Sequence, residues 1–282
     1  MSTILIGVDA SERSEDAIAF GRQLAQACGA YVVVANAYRE PSRDQSLALV
    51  CALRDRLDLP EQRSLVKIRA DVSPAHALHS LAESEDAALV IVGSTHTGRA
   101  GRVFPGSTGE RLLDGAPCAV AVVPDGYRER VGPIGVVGAA YDGTPEARAA
   151  VRAAADLARG LNAELVVIGV VVPGAYDLDG AVDGQSIVRD VREELDAIVE
   201  QLPDATATLL TGDAAERLAE HSRHIDLLVT GSRGYGPVRA VLAGGVSGRL
   251  LRSAHCPVVV VPRGVEAPLG CLFEAELAER AS

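Results

Sequence analysis

The stretch ILIGVDASERSEDAIAFGRQLAQACGAYVVVANAY, residues 4–38, decides the fold class. A short run of isoleucine and leucine is followed by an alanine-rich segment that is opened by Ser14 and closed near Cys28 and Gly29, and then by a run of valines. This order of patterns predicts a strand, an amphipathic helix and a second strand. Continuous apolar runs are typical of parallel strands that are covered on both faces. The stretch therefore predicts a β-α-β unit of a parallel α/β sheet.

The chain contains this pattern twice. Residues 135–171 match residues 4–38 at an offset of 133, which places Asp142 on Asp9 and Asn162 on Gly29. Residues 226–262 match residues 88–124 at an offset of 138. The duplication predicts two tandem domains, 1–124 and 134–264, joined by a linker at 125–133 and followed by a C-terminal tail at 265–282.

Each half is expected to form a Rossmann-like, five-stranded parallel sheet with helices on both faces. The predicted strands are 3–9, 31–37, 65–70, 88–93 and 119–123 in the first half, and 134–141, 164–171, 206–211, 226–231 and 257–261 in the second. Lys67 and Arg69 indicate that the third strand lies at the edge of the sheet, with one side exposed to solvent. Ligands of such sheets bind beyond the carboxyl ends of the strands.

The last strand of each half is uncharged, with the sequences CAVAVVP and CPVVVVP. An exposed edge of this kind would be prone to pair with another strand. We therefore expect the two halves to pair through these strands within one chain. A homodimer of two chains is a further expectation that the sequence does not fix.

Charge, cysteine content and the length of the apolar runs limit the classes of binding partner and the cellular compartment that are expected. The chain has 282 residues and a net charge of -11, which argues against binding to nucleic acid or to an anionic membrane surface. Its five cysteines are widely spaced without a CxxC pair, and its first residues lack the pattern of a signal peptide. The apolar runs are much shorter than the roughly 20 residues of a membrane helix. A cytoplasmic protein with small-molecule or protein partners is expected.

A glycine-rich loop follows the fourth strand of each half. Glycine allows close backbone approach and positive φ, and a helix that begins after such a loop presents unsatisfied N–H groups to an anion, usually a phosphate. A loop that is rich in glycine only because it turns tightly is the alternative.

Both loops resemble the signature of ATP-binding universal stress proteins, which is Gly, two residues, Gly, nine residues, Gly and then Ser or Thr. The second half has Gly231 and Gly234, nine residues, and then Gly244, Gly245, Val246 and Ser247; the first half has Gly93, and then Gly106, Ser107 and Thr108. The opening Val-Asp-Gly-Ser of that family is matched by residues 8–11 and 141–144, and its Gly-Asp after the third strand by residues 70–71 and 212–213. The resemblance covers residues 2–263.

The resemblance implies a fold of the adenine nucleotide alpha hydrolase type and a regulatory stress protein that binds ATP, with or without Mg²⁺. It implies no catalytic residue and no metal ligand from the protein. The implied nucleotide-binding residues are Asp9, Ala37, Gly93, Gly106, Ser107 and Thr108 in the first half, and Asp142, Val170, Gly231, Arg233, Gly234, Gly244, Gly245, Val246 and Ser247 in the second.

Neither copy of the signature is complete. His96 stands where the second glycine of the first half is expected, so a side chain intrudes where backbone should meet phosphate. Gly245 stands where the second half should have a hydroxyl, although Ser247 lies two residues further on. The second half is therefore predicted to be the better nucleotide site.

Several of these residues have a second interpretation. Asp9 and Asp142 can hold a ribose hydroxyl or an adenine amino group, or they can be N-caps of the helices that follow. Ala37 and Val170 can line an adenine pocket or belong to the ordinary core. Arg233 can reach phosphates or remain a solvated loop cation.

Other chemistries find little support. The only lysine, Lys67, is not in a Walker loop, and neither GxGxxG after the first strand nor GxSxG is present. The pairs His76 and His79, and His221 and His224, lack a recurring third metal ligand and are interpreted as surface residues of helices. Two alternatives to a binding protein remain: a slow ATPase or phosphotransferase that uses Asp142 or Asp213, and an interaction scaffold that binds no nucleotide.

Overall fold

A computed structural model describes residues 2–39, 41–94, 107–113, 115–172, 184–202, 204–232, 246–264 and 269–273. Both halves have the predicted alternation of strands and helices. The ends of all ten strands lie within two residues of the predicted positions. The predicted α/β class with tandem Rossmann-like halves is confirmed.

The first half comprises β1 (Thr3–Gly7), α1 (Arg13–Cys28), β2 (Tyr31–Tyr38), α2 (Arg43–Asp55), β3 (Ser64–Ala70), α3 (Pro74–Ser84), β4 (Ala87–Gly93), α4 (Ser107–Leu113) and β5 (Ala119–Val123). The second comprises β6 (Val136–Tyr141), α5 (Pro145–Leu161), β7 (Glu164–Val171), α6 (Gly184–Val199), β8 (Ala205–Thr211), α7 (Ala214–His221), β9 (Leu227–Gly231), α8 (Val246–Leu250) and β10 (Val258–Val261). Short 3-10 turns lie at Glu61–Arg63, Tyr127–Glu129 and Leu269–Phe273.

Local signals fix the ends of the first helix of each half. Thr144 caps α5 by accepting a hydrogen bond from the N–H of the third residue after it, and Pro145 occupies the first turn. Gly29 ends α1 with φ of 67°, and Asn162 ends α5 with φ of 53°. Both residues tolerate this left-handed conformation, which satisfies carbonyl groups of the last helical turn.

The ten strands of the described residues form one sheet in the order β3-β2-β1-β4-β5-β10-β9-β6-β7-β8. Neighbouring strands are parallel within each half, whereas β5 and β10 are antiparallel, with Val259 opposite Ala121. The strand that carries Lys67 and Arg69 is at one edge of the sheet, as predicted, and β8 is at the other edge.

Helices cover both faces of the sheet. One apolar core lies under α1, α2, α5 and α6, and a second lies under α3, α4, α7 and α8. In β5 the side chains alternate between the two cores: Ala119, Ala121 and Val123 pack into the first, and Val120 and Val122 into the second. Coverage on both faces is the reason why the strands have continuous apolar sequences.

The segment between the halves packs against α1. The buried carboxylate of Asp16 accepts hydrogen bonds from the backbone N–H groups of Gly126 at 3.0 Å and of Arg128 at 2.9 Å. Tyr127 is also buried and contacts Phe20 edge to face, with ring centroids 5.7 Å apart. The predicted linker is therefore held at a fixed place on the first half.

A short C-terminal segment adds a third contact between the halves. Leu269, Leu272 and Phe273 are buried in the core that contains α1 and α5. The Phe273 ring lies over Gly160 so closely that an added Cβ at that glycine would be 2.1 Å from the ring. Glycine is required here by the approach of the ring.

Candidate functional site

A cavity of about 260 Å³ lies at the carboxyl ends of β1, β2 and β4 in the first half. Asp9 and Ala37 reach it from the ends of the first two strands, Gly93 from the end of the fourth, and Thr108 from the first turn of α4. Four of the predicted first-half site residues are thus brought together. Asn36, Leu78 and Ser94 are among the other residues that line it.

Asp9 organises the loop between β1 and α1. Its Oδ1 accepts hydrogen bonds from the N–H of Ser11 at 2.9 Å and from the hydroxyl of Ser11 at 2.5 Å. The hydroxyl of Ser14 accepts from the N–H of Asp9 and donates to its carbonyl oxygen at 2.8 Å. The N-cap position of α1 is occupied by Glu12, so the interpretation of Asp9 as the cap of this helix is wrong. Asp9 forms a local turn and remains at the cavity.

Asp142 has the same arrangement in the second half. Its Oδ1 accepts from the N–H of Thr144 at 3.1 Å and from the Thr144 hydroxyl at 2.5 Å. Because Thr144 is the residue that caps α5, Asp142 orients the cap and is not itself the cap. In both halves the sequence Asp-x-Ser/Thr forms this turn, which places the exposed carboxyl group at the end of the opening strand.

The second strands of the two halves differ where they end. Asn36 donates from Nδ2 to the Val8 carbonyl oxygen at 2.5 Å, and its Oδ1 accepts from the Ser46 hydroxyl. The corresponding residue of the second half is Gly169. Sequence reasoning missed Asn36, although an amide inside an apolar strand is a usable signal. Ala37 is partly exposed at the cavity, and Val170 is partly buried against the core under α7.

Gly93 and Gly231 have a packing role that is independent of any ligand. A Cβ at Gly93 would lie 2.5 Å from the carbonyl oxygen of Arg13, and one at Gly231 would lie 2.7 Å from that of Glu146. The first turn of α1 or α5 therefore passes directly over the strand end. The first glycine of each signature is required by this contact.

The remaining signature residues lie at or beyond the helix starts. Gly106, Arg233, Gly234, Gly244 and Gly245 lie outside the described residues. Ser107 begins α4, and Val246 and Ser247 begin α8. Val246 is exposed.

Charges beside the two strand ends have opposite arrangements. In the first half the Nε of Arg13 is 3.7 Å from a carboxylate oxygen of Asp125. In the second half Glu146 corresponds to Arg13, and Arg263 corresponds to Asp125, so the two charges have changed places. A carboxylate oxygen of Glu146 lies 3.0 Å from the Nε of Arg263. Arg13 lines the first-half cavity, so this half presents a cation where the second half has a carboxylate. Each arrangement is an ion pair with no net charge, so the two halves differ here in the order of the charges.

The acidic residue after the third strand has a structural role in both halves. Asp213 caps α7 and accepts from Arg249 of α8 at 2.7 Å, and this interaction lowers the pKa of Asp213 below its ordinary 3.8. Asp71 accepts from His76 at 2.6 Å, which lowers its pKa in the same way. Asp213, the group named in the ATPase alternative, is therefore engaged in holding α7 and α8 together.

A second cavity, of about 490 Å³, lies between α5 and α6, beside the end of β6. Tyr141 at its wall donates to Glu194 at 2.6 Å. None of the described residues predicted to bind nucleotide lines this cavity.

Three further observations concern residues outside the site. Cys118 and Cys256 are buried, and burial raises the pKa of each thiol to about 12. His221 and His224 contact each other, and no cluster of three metal-ligating side chains occurs among the described residues. In the same part of the chain no helix is both long enough and apolar enough to cross a membrane.

Comparison with known proteins assigns the family. The model of the universal stress protein family matches residues 1–124 and 134–262, so the chain belongs to that family. Universal stress protein Rv2319c of Mycobacterium tuberculosis H37Rv is 27% identical over 208 residues, which cover 69% of this chain and 70% of that protein. Universal stress protein Rv2005c of the same strain is 30% identical over 193 residues, which cover 63% of this chain and 62% of that protein.

Two solved structures share the fold over nearly the whole chain. A universal stress protein from Archaeoglobus fulgidus DSM 4304 superposes with a TM-score of 0.66 at 20% identity and covers 93% of this chain and 96% of its own. Protein PA1789 of Pseudomonas aeruginosa PAO1, described as functionally unknown, gives a TM-score of 0.70 at 16% identity and covers 99% and 98%. At such identities the likeness establishes the fold alone.

Proposed function

We propose that this chain binds ATP at the carboxyl ends of its central strands and acts as a regulatory stress protein whose state follows nucleotide occupancy. The observation that carries the proposal is the first-half cavity, where Asp9, Ala37, Gly93 and Thr108 converge. Its position beyond the carboxyl ends of parallel strands is where open α/β sheets bind ligands.

The chemistry of the cavity suits the nucleoside part of the ligand. Asp9 offers a carboxylate to sugar hydroxyls, while Leu78 and Val92 provide an apolar wall for a base. At about 260 Å³ the cavity is slightly smaller than sites for drug-sized ligands, which occupy roughly 300–1,000 Å³. The triphosphate would therefore extend beyond the cavity, past Thr108 and along the glycine-rich loop. Arg13, which is paired with Asp125, also lines the cavity.

The second half is proposed as a second site of different affinity. Asp142, Val170 and Gly231 occupy the positions that correspond to Asp9, Ala37 and Gly93, and the glycine pattern of the second half is more complete. The ion pair of Glu146 with Arg263 stands where the first half has Arg13 and Asp125, so the surroundings of the two sites differ. We accordingly propose at least one ATP per chain, with Mg²⁺ accompanying the phosphates and no ligand to the metal from the protein.

Titration calorimetry with matched variants tests the site. Asp9→Asn keeps the Oδ1 that holds Ser11 but replaces the second carboxylate oxygen by an amide, so it should weaken ATP binding in the first half by about 1–3 kcal/mol. Asp142→Asn should do the same in the second half. Asp44→Asn is the control, because this exposed carboxylate of α2 does not line the cavity. ATP affinity and stoichiometry that are unchanged in both aspartate variants would place the ligand elsewhere.

A further inference from the structure

The two edges of the ten-stranded sheet are built differently. At one edge, β3 carries Lys67 and Arg69, and Lys67 pairs with Glu85 at 2.9 Å. At the other edge, β8 has the sequence ATATLLT and contains no charged side chain. Within the described residues, β8 is paired with β7 alone. Lysine on an edge strand is a common protection against pairing with another chain, and β8 lacks it.

The difference falls on corresponding positions of the two halves. Ala35 is paired with Lys67, and Ala37 with Arg69. The matching residues of the second half, at the offset of 133, are Ile168 and Val170, which are paired with Thr208 and Leu210. Thr208 and Leu210 therefore stand where the first half has two cations.

The outward backbone groups of β8 follow from its bonding to β7. The N–H of Gly212 donates to the carbonyl oxygen of Val171 at 2.9 Å, so the even-numbered residues of β8 direct their backbone groups toward β7. The odd-numbered residues then direct theirs to the edge, where the N–H of Ala205 is already bonded to Leu202. Ala207, Leu209 and Thr211 each present an N–H to a partner strand.

From this arrangement we propose that β8 pairs antiparallel with β8 of a second copy of this chain, with Thr208 facing the partner's Thr208 on a two-fold axis. In this register Ala207 faces Leu209 of the partner subunit, and Ala205 faces Thr211 of the partner subunit. The pair of Ala207 with Leu209 of the partner subunit makes both backbone hydrogen bonds of an antiparallel ladder, and the carbonyl oxygen of Ala205 accepts from Thr211 of the partner subunit. The two threonines form a pair that is not hydrogen-bonded through the backbone, where side chains come closest and Thr–Thr contacts are favourable.

Charge does not oppose this register. No charged side chain lies between Ala205 and Thr211, and Asp204 is placed opposite the glycine at 212 of the second copy. The same pairing of two β3 strands would bring lysine against lysine, which is unfavourable. The chain therefore associates through one edge only, and a closed dimer results instead of a fibre.

Sedimentation analysis of the full chain over a range of concentrations tests the proposal. The wild type should sediment at twice the monomer mass of 29.3 kDa at high concentration, and Thr208→Lys should remain monomeric. Thr208→Val is the matched control, since it keeps the shape and β-propensity of threonine and should still form dimers. Circular dichroism of each variant reports whether it is folded.

A mixture of charge variants makes the test specific for the two-fold axis. Thr208→Lys and Thr208→Glu should each be monomeric alone, and an equimolar mixture of them should regain the dimer, because opposite charges then face each other. A wild type that remains at 29.3 kDa throughout would overturn the proposal. So would a dimer that persists in folded Thr208→Lys, or a mixture of the charge variants that stays monomeric.

Discussion

At the scale of single residues, Gly93 and Gly231 connect the fold to the proposed site. Each ends the fourth strand of its half, and each lies against the backbone of the helix that follows the opening strand. This contact brings the turn formed by Asp9 or Asp142 close to the start of the glycine-rich loop. The close approach therefore has a consequence for binding, because it sets the distance between the nucleoside end and the phosphate end of the site.

Gly93→Ala should destabilise the chain. The added Cβ would lie 2.5 Å from the carbonyl oxygen of Arg13, and backbone cannot yield as a flexible side chain does. Overpacking of this kind costs about 1–3 kcal/mol in the free energy of unfolding. Gly115→Ala is the control, because an added Cβ there meets no atom within 4 Å. Urea denaturation of the two variants gives the comparison, and equal stability would refute the packing role.

At the scale of elements, α3 and α7 occupy corresponding positions and are anchored through different partners. Asp71 binds His76 of the helix that it precedes, whereas Asp213 binds Arg249 of α8. The second arrangement joins two helices at the loop that contains the second glycine signature. The first keeps the interaction within the start of α3. The same acidic position thus stabilises one helix in the first half and a pair of helices in the second.

The pKa of Asp71 tests this anchoring. The hydrogen bond from His76 is the largest cause of its lowered pKa, and the N–H of Ser73 contributes as well. His76→Ala should therefore move the pKa of Asp71 upward toward its ordinary 3.8, as followed by carbon-detected NMR titration. His79→Ala, which removes the neighbouring histidine that pairs with Glu83, should leave it unchanged. An unshifted pKa in His76→Ala would contradict the assignment.

The sign of the effect on stability follows from the direction of that shift. A carboxyl group with a lowered pKa in the folded chain stabilises the fold above its ordinary pKa, here 3.8. The contribution is lost as the pH falls through the lowered value. Between neutral and strongly acidic pH, the free energy of unfolding of His76→Ala should therefore fall by less than that of the wild type.

At the scale of the whole molecule, the two halves form one continuous structure. They share a sheet through β5 and β10, the segment after β5 is fixed by Asp16, and the turn that contains Phe273 lies over Gly160 of α5. The cavity of the first half and the corresponding strand ends of the second therefore have fixed positions in one sheet.

The sequence predicts the sheet because its signals are local and repeated. Valine runs, the Thr-Pro at 144–145 and the αL residues Gly29 and Asn162 all act within a few residues. The charge exchange between the pairs Arg13–Asp125 and Glu146–Arg263 joins residues more than a hundred positions apart, so no local pattern reveals it. The buried turn at 269–273 lies outside the repeat, and the duplication carries no information about it.

The same contrast between local signals and contacts of distant residues holds for the candidate site. Asp9 and Asp142 are predictable because Asp-x-Ser/Thr after a strand is a turn signal, but their role as the acceptor of that turn depends on geometry. Asn36 enters the cavity only because β2 lies beside β1, a fact of sheet order.

Native mass spectrometry of the purified full chain tests the central claim most directly. We expect the chain to carry an adenine nucleotide through purification, or to acquire at least one ATP when ATP and Mg²⁺ are added at micromolar concentration. In Asp9→Asn with Asp142→Asn the bound species should decrease strongly. A wild-type chain that stays at the mass of the unliganded protein with ATP in excess would contradict nucleotide binding and leave an interaction scaffold as the function.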